Sequence, residues 1–344
     1  MMAEADGKLT GRPGICMVTR GPGATNAASG IHVAKQDSTP MIMFVGQIGR
    51  RMRGREAFQE VDYRQTFGDL AKWVEEIDHV DRIPEVISHA YHVAMSGRPG
   101  PVVLALPEDM LRETCDKVCG PRVEVAAPAP DKDAMRQFEY LLKSAEKPFL
   151  LLGGSRWNES AMKAVHQFAE NWGLPVGCSF RRQHLFDHLH QNYAGDVGLG
   201  INPKLKQRIE NSDLVILLGA RFSENPSQGF SLFDIPNPKQ RLVHVHVGAE
   251  ELGRIYVPDL PIVATPENFV SAALELPVSK KFIDFENAHI DYLNWSDDLP
   301  ETPGQAQMGP IVSTLRGCAK RHCCKWRWKL CNLGASFLAF SGVR

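Results

Sequence analysis

The chain has 344 residues, which is enough for about two domains of ordinary size. Hydrophobic residues make up 43% and charged residues 23%, a balance that predicts packed cores and excludes global disorder. The net charge of -1 gives no reason to expect nucleic acid or an anionic membrane as the main partner. No apolar run approaches the ~20 residues of a membrane helix, and no secretory signal is recognisable, so we expect a cytoplasmic protein.

The first part of the chain alternates short apolar runs with helical stretches. Continuous apolar runs, each bounded by Pro or Gly, occupy residues 15–19, 41–45 and 102–106. Runs that do not alternate are typical of strands buried on both faces of a parallel sheet. Helices are predicted over 24–35 and 83–95, the second from its apolar spacing. Residues 1–122 are therefore predicted to form an α/β domain.

A second α/β unit is predicted over residues 131–278. Apolar strands fall at 149–152, 174–176 and 213–218. A helix is predicted over 159–172. Residues 242–247 alternate instead, with His244 and His246 at every second position, which predicts a half-exposed or edge strand. The succession of strand and helix predicts a second doubly wound, mainly parallel sheet of the Rossmann-like kind.

Two stretches are predicted to be linkers. Residues 123–130 are rich in Pro and Ala, and residues 279–308 are largely polar. Both differ in composition from the apolar runs of the units beside them. We expect them to connect packed domains rather than to belong to a core.

A glycine-rich turn lies between the first predicted strand and the first predicted helix. It reads Gly21-Pro22-Gly23-Ala24-Thr25-Asn26. At such a junction the exposed N–H groups and the helix dipole favour an anionic or polar ligand, and glycine lets the backbone come close to it. Taken alone, the turn is equally consistent with a purely structural role.

The turn is part of a longer series of blocks. Residues 11–30 are followed by five further blocks in a fixed order: Asp37-Ser38-Thr39-Pro40, Gly46-Gln47, Ala57-Phe58-Gln59-Glu60-Val61-Asp62, Ala71-Lys72-Trp73 and 97–109. In this order they resemble the pyrimidine-binding domain of acetolactate synthase-like thiamine diphosphate enzymes. Residues 194–200, which fill the place of a Gly-rich turn, and 212–222 resemble the central domain of the same family. The resemblance covers residues 1–313.

The resemblance implies where the cofactor lies. Thiamine diphosphate would sit between two subunits, its aminopyrimidine ring on this domain and its diphosphate, with Mg²⁺, on a separate domain of the other subunit. The ring would lie near Gly21, Pro22, Gly23 and Asn26. The side facing the substrate, a pyruvate-like 2-oxo acid, would carry Phe58, Gln59 and Lys72. For each of these residues a turn, an apolar packing position or a solvated side chain is the alternative.

The family's catalytic glutamate has no match in this sequence. Its position would lie upstream of Met1, and neither Glu4 nor Glu60 fits its place. The diphosphate-binding domain is also not recognisable after residue 313. We therefore expect a fragment with an incomplete sheet, an exposed sheet edge, no catalytic residue or metal ligand of its own, and negligible activity by itself.

The central domain binds flavin nucleotide in some members of the family and nothing in many. In this sequence Phe222 is followed by Ser-Glu-Asn-Pro rather than by the acidic run of the flavin-binding members. The sequence leaves FAD open as a cofactor and favours a structural core.

Residues 309–344 are predicted to form an aberrant tail, and from about residue 314 the resemblance does not continue. They contain a Cys/His cluster whose spacing does not match the usual zinc motifs, formed by Cys318, His322, Cys323, Cys324 and Cys331. If the codons from Lys325 onward are read one base later, they permit Asn-Gly-Ala-Gly-Asn-Phe-Ala-Thr-Trp, which resembles the opening of the family's diphosphate-binding domain. We expect an out-of-frame tail from about residue 314, which the nucleotide sequence would test.

Two hypotheses about function follow. The first is a fragment of a thiamine diphosphate-dependent carboligase or decarboxylase acting on pyruvate-like 2-oxo acids, most similar to acetolactate synthase. The second is a non-catalytic binding or assembly module that pairs with an intact, full-length relative. A homo-oligomer is expected in the parent family. The sequence leaves open which 2-oxo acid is used, and whether the parent is a synthase, a decarboxylase or an acetyltransferase.

Overall fold

The structure is a computed structural model that describes residues 1–297 and 307–314. The chain divides into two compact units, Met1–Ala127 and Pro128–Arg344. Each unit is built on a sheet of parallel strands, which confirms the predicted α/β class with two doubly wound domains. The predicted aberrant tail lies outside the described residues from 315 onward. Its first part, residues 309–314, belongs to a helical stretch over 308–314.

The first unit contains four strands and four helices. The strands are β1 (Gly14–Val18), β2 (Met41–Gln47), β3 (Trp73–Glu76) and β4 (Pro101–Pro107). The helices are α1 (Met2–Thr10), α2 (Pro22–Gln36), α3 (Tyr63–Phe67) and α4 (Ile83–Met95). All pairings are parallel in the order β1-β2-β4-β3. The carboxyl ends of β1, β2 and β4 therefore meet at one edge of the sheet.

Strand β2 shows why these apolar runs do not alternate. Met43 packs on one face of the sheet in the same cluster as Ile31 of α2. Its neighbour Ile42 packs on the other face with Val86 and Ala90 of α4. Both faces are covered by helices, so every side chain of the run can be apolar.

Strand β1 forms one edge of this sheet. Cys16 and Val18 pack against the cluster that contains α2. Ile15 and Met17 point to the opposite side and are exposed, Met17 by 73%. The edge strand is thus covered by packed residues on one face only.

The second unit contains six strands and five helices among the residues described up to 297. The strands are β5 (Pro148–Leu152), β6 (Val176–Ser179), β7 (Tyr193–Val197), β8 (Leu214–Leu218), β9 (Arg241–His246) and β10 (Leu260–Val263). The helices are α5 (Lys132–Ser144), α6 (Glu159–Trp172), α7 (Pro203–Glu210), α8 (Pro266–Leu274) and α9 (Phe285–Asp297). The parallel order is β10-β9-β8-β5-β6-β7, so the direction of winding reverses between β5 and β8.

The prediction that residues 242–247 form a half-exposed or edge strand is wrong. Strand β9 lies inside the sheet between β8 and β10, and both of its histidines are buried. The His244 ring nitrogen Nε2 lies 2.8 Å from the carbonyl oxygen of Ala220, and Nδ1 of His246 lies 3.0 Å from the backbone nitrogen of Gly248. Backbone partners replace the water that the polar rings would otherwise need.

Two other segments differ from the sequence reading. Strand β7, Tyr193–Val197, overlaps the stretch 194–200 that was expected to be a Gly-rich turn. The polar stretch 279–308 contains helix α9, which buries Phe285 and Ala288 in the second unit. A narrow apolar face is enough to hold a helix whose other faces are polar.

Candidate functional site

The turn after β1 is held in a conformation that favours glycine. Gly21 precedes the first residue of α2 with φ 55° and ψ -106°. An L side chain rarely adopts this positive φ. No side chain caps the first turn of α2, so the positive end of its dipole is left for a polar or anionic group.

The loop that carries Gln59 lies directly against this turn. A Cβ atom on Gly21 would come within 2.9 Å of the Gln59 Cβ, and one on Gly23 within 2.8 Å of Cγ2 of Thr19. Both glycines are thus required by close contacts. Gln59 is half-buried, with a positive φ of 66°. Within the residues that the structure describes, its side-chain amide has no hydrogen-bond partner.

Glu60 organises the same loop. Its carboxylate accepts hydrogen bonds from the backbone N–H of Gly54 at 2.6 Å and of Ala57 at 3.0 Å. These bonds, the Gly54 one first, lower the pKa of Glu60 below its usual value. Glu60 is therefore occupied in shaping the loop.

Two side chains join this loop to the carboxyl ends of the strands. The side-chain amide of Gln47, at the end of β2, donates to the carbonyl oxygen of Val61 at 2.9 Å and accepts from the N–H of Ile48 at 2.9 Å. The Tyr63 hydroxyl accepts from the N–H of Gly21 at 3.0 Å and donates to the carbonyl oxygen of Gly46 at 3.1 Å. Both side chains are buried, so these bonds are protected from water.

The structure brings some of the predicted site residues together and separates one. Gly21, Gly23 and Gln59 meet at the carboxyl edge of the sheet. Pro22 and Asn26 are exposed on the first turns of α2. Phe58, beside Gln59, is 78% exposed.

Lys72 lies at the other edge of the sheet. It precedes the amino end of β3, which runs parallel to β1 through β4 and β2. Its Nζ donates to the carbonyl oxygens of Ser96 at 2.5 Å and of Arg98 at 2.9 Å. These bonds hold the loop before β4, so Lys72 does not join the group formed by Gly21, Gly23 and Gln59. Its proposed role towards a substrate stays a prediction.

The sequence reading did not single out Tyr63 or the role of Gln47. The one local signal was Asp62, a residue type that begins helices well. In the structure Asp62 accepts from the N–H groups of Arg64 and Gln65, at 3.0 and 3.2 Å, and so starts α3 at Tyr63. The target of the tyrosine hydroxyl depends on residues far away in sequence, which no local pattern reveals.

The corresponding edge of the second unit is packed differently. At the reversal of winding between β5 and β8, where open α/β sheets usually bind ligands, two glycine turns touch each other. A Cβ on Gly154 would come within 1.8 Å of the carbonyl oxygen of Gly219. Trp157 covers this contact, and its Nε1 donates to the carbonyl oxygen of Gly153 at 2.7 Å.

Two ionisable groups lie near the carboxyl ends of the second sheet, His244 buried and Asp196 half-buried. Burial raises the pKa of Asp196 to about 7, against a lowering effect of the hydrogen bond from Gln183. Burial lowers the pKa of His244 to about 4. In the described part of the chain, Oδ1 of Asp196 has no hydrogen-bond partner. Both groups therefore favour their neutral forms in the folded protein.

A search of residues 1–297 and 307–314 finds no group of three or more His, Cys, Asp or Glu side chains that could hold a metal ion. In the same ranges no helix is long and apolar enough to cross a membrane.

Comparison with known proteins gives matches in both units. Residues 1–66 match the family "Thiamine pyrophosphate enzyme, N-terminal TPP binding domain", and residues 136–273 match "Thiamine pyrophosphate enzyme, central domain". The first match contains Gly21, Gly23 and Gln59. The second runs from within α5 to within α8.

Similar proteins are acetolactate synthases. The large subunit from Corynebacterium glutamicum is 31% identical over 83% of this chain and 46% of its own length. The isozyme 1 large subunit from Escherichia coli K12 is 31% identical over 80% of this chain and 48% of its own length. An acetolactate synthase from Mycobacterium bovis is 32% identical over 74% of this chain and 41% of its own length. The chain thus spans about half the length of these curated relatives.

Proposed function

The chain belongs to the thiamine pyrophosphate enzyme family, and we propose that its first unit forms the aminopyrimidine side of a thiamine diphosphate site of the acetolactate synthase type. The observation that carries this proposal is the contact between Gly21 and Gln59 at the carboxyl edge of the first sheet. It joins two separate sequence blocks at the uncapped start of α2. Backbone without Cβ atoms and a free side-chain amide are suited to a flat, polar ring.

Gly21, Gly23 and Gln59 form what we call the aminopyrimidine wall, and each of them has a distinct task. Gly21 and Gly23 keep the turn thin, so that a ring can approach the backbone. Gln59 can donate or accept a hydrogen bond. The adjacent side chain of Phe58 offers an exposed apolar surface to the substrate side. The bound cofactor would supply an electron sink for chemistry on a 2-oxo acid, whereas the protein supplies orientation and a polar environment.

We propose that the diphosphate and Mg²⁺ are held by a full-length relative that pairs with this chain. Mg²⁺ sites use carboxylate and other oxygen ligands, and the described ranges contain no cluster of candidate ligands. The purified chain alone would then bind the cofactor weakly and turn over no pyruvate. The wall formed by Gly21, Gly23 and Gln59 would still recognise the aminopyrimidine ring.

Saturation-transfer NMR with thiamine, thiamine monophosphate and thiamine diphosphate tests this division. We expect transfer to the aminopyrimidine protons of all three ligands, with similar affinity and no dependence on Mg²⁺. Gly23→Ala should abolish the transfer because its Cβ collides with Thr19. The matched control is Gly120→Ala, which changes a glycine with nothing within 4 Å of its added Cβ.

Two results would contradict this assignment. Absence of transfer from any of the three ligands to the unmodified chain would remove the proposed wall. A large gain in affinity for the diphosphate on addition of Mg²⁺, seen by calorimetry at micromolar concentration, would show that the chain carries a diphosphate site as well. Melting curves of both glycine variants establish that each one is folded.

For the second unit we propose a structural role rather than flavin binding. The contact between Gly154 and Gly219, covered by Trp157, fills the point where the sheet reverses its winding. We expect the purified protein to be colourless, and a visible absorbance band that persists through gel filtration would contradict this.

A further inference from the structure

We propose that Tyr63 is a positioning residue that sets the width of the aminopyrimidine wall. This inference rests on the function proposed for the first unit. Its geometric basis is the double hydrogen bond of one hydroxyl, which accepts from the N–H of Gly21 at 3.0 Å and donates to the carbonyl oxygen of Gly46 at 3.1 Å.

The bridge begins where the sheet pairing ends. Strands β1 and β2 pair from Gly14↔Met41 to Val18↔Val45. Beyond this register β1 turns towards α2, whereas Gly46 continues in β2 beside β4. Beyond Val18 and Val45 no strand pairing connects these two segments, and the Tyr63 hydroxyl links them instead. The separation between the glycine turn and the end of β2 is therefore set by a side chain.

Contacts outside the glycine turn hold the Tyr63 side chain in place. Asp62 caps α3 and so places Tyr63 at the first residue of that helix. Its ring is 3% exposed and lies 6.2 Å from the ring of Phe67, centroid to centroid. A ring held on several sides gives its hydroxyl one position, so the hydroxyl can orient the more flexible turn.

The bond to Gly21 controls the turn that carries the proposed ring contacts. Gly21 has a positive φ, which glycine adopts at little cost but does not strongly prefer. The Tyr63 bridge selects this one conformation. It also keeps Gly21 against Gln59, whose Cβ lies 2.9 Å from the Cβ position of Gly21. Without the hydroxyl, we expect the turn to sample other conformations while α3 and the sheet stay folded.

Tyr63→Phe removes the hydroxyl and keeps the ring. The matched control is Tyr91→Phe, the same change in a half-buried residue of α4 on the opposite face of the sheet. Hydrogen exchange of peptides covering residues 19–25 reports on the Gly21 N–H. Saturation-transfer titration with thiamine reports on the wall, and melting curves report on the fold.

We expect Tyr63→Phe to speed exchange of the Gly21 amide and to weaken thiamine binding, each by about tenfold, the effect of one buried hydrogen bond. Tyr91→Phe should change neither. If Tyr63→Phe does not fold, replacement of Tyr63 by 3-fluorotyrosine keeps the ring and weakens the hydroxyl as an acceptor. It should give a smaller change in the same direction.

The outcomes separate this inference from the proposed function. Unchanged exchange at Gly21 in the Tyr63 variants overturns the positioning role, whatever happens to thiamine. Faster exchange with unchanged thiamine affinity also overturns it, because the turn would then move without affecting the wall. Absence of thiamine binding by the unmodified chain overturns the proposed function, and exchange at Gly21 alone then decides whether Tyr63 holds the turn.

Discussion

The carboxyl edges of the two sheets use the same local motif in opposite ways. In the first unit a glycine turn after β1 contacts a loop that presents Gln59, a half-buried polar side chain. In the second unit the turns at Gly154 and Gly219 contact each other and are covered by Trp157. Glycine after a parallel strand therefore indicates a close approach, and only the neighbouring structure shows whether a ligand can be part of it.

The difference extends to the ionisable groups. At the first edge Glu60 stays ionised more readily than usual because backbone N–H groups bind its carboxylate. At the second edge Asp196 is half-buried and His244 is buried, and both favour their neutral forms. An edge that exposes polar groups is suited to binding, whereas an edge that buries them is suited to stability.

The largest expected effect concerns the carboxyl edge of the second sheet, where the two glycine turns contact each other. Gly154→Ala places a Cβ 1.8 Å from the Gly219 carbonyl oxygen at a positive φ of 69°. The turns of β5 and β8 would have to separate, and we expect a loss of roughly 4–5 kcal/mol in the free energy of unfolding. Hydrogen exchange in urea, followed on peptides from β5 and β8, measures this loss in the second unit.

The control for this variant is Gly229→Ala. Gly229 also has a positive φ, 68°, but nothing lies within 4 Å of its added Cβ. It should lose only about 1 kcal/mol, the backbone cost alone. Equal losses for the two variants would mean that the edge of the second sheet is not filled by the glycine contact.

The next effect is a change in pH dependence. Because the pKa of Asp196 is about 7 in the folded chain, the unfolded chain releases this proton first as the pH rises from about 4 to 7. The contribution of Asp196 to stability is present at low pH and is lost over this range. Asp196→Asn removes the loss, so its stability relative to the unmodified chain should rise by about 3 kcal/mol between pH 4 and pH 7.

The titration of His244 does not disturb that measurement. Its pKa is lowered to about 4, so its contribution is lost as the pH falls from about 6.5 to 4, in the opposite direction to that of Asp196. Both chains retain His244, and its effect cancels in the comparison between them. Parallel stability profiles for the two chains would show that the pKa of Asp196 is not raised in the folded protein.

The smallest expected effect concerns the loop of Glu60 at the carboxyl edge of the first sheet. Glu60→Gln weakens the bonds that Gly54 and Ala57 donate to the carboxylate. The loop should open more often, and trypsin should cleave it faster after Arg53 and Arg55, while the melting temperature stays nearly unchanged. Glu56→Gln is the control, because Glu56 is exposed in the same loop. Equal cleavage rates in both variants would contradict the role of Glu60.

The sequence predicted those parts of the fold that depend on local patterns. Strands β2, β4, β5 and β8 each contain an unbroken apolar run, and all four lie inside their sheets. It did not predict β3, whose residues Trp73–Glu76 are all half-buried and include two glutamates. Because all four side chains of β3 are half-buried, they show no alternation of polar and apolar residues that would predict a strand. The strand forms through its pairing with β4, which a local pattern does not reveal.

The candidate site was predictable to the extent that its residues lie within contiguous sequence blocks that resemble the family. The resemblance to the family identified Gly21, Gly23 and Gln59, which the structure brings together. It placed Lys72 with Phe58 and Gln59 on the substrate side, a role that stays a prediction, and the fold puts Lys72 at the other edge of the first sheet. The burial of His244 and His246 was missed because a histidine ring satisfied by backbone atoms leaves no trace in the alternation of polar and apolar residues.

The Tyr63 bridge also restricts how this position can change over evolution. A hydroxyl carries one proton, so it can accept from the Gly21 N–H and donate to the Gly46 carbonyl at the same time. A carboxylate could satisfy only the amide, and an ammonium group only the carbonyl. Drift at residue 63 would therefore require a compensating change in the turn or in β2, and these positions should vary together among descendants of this chain.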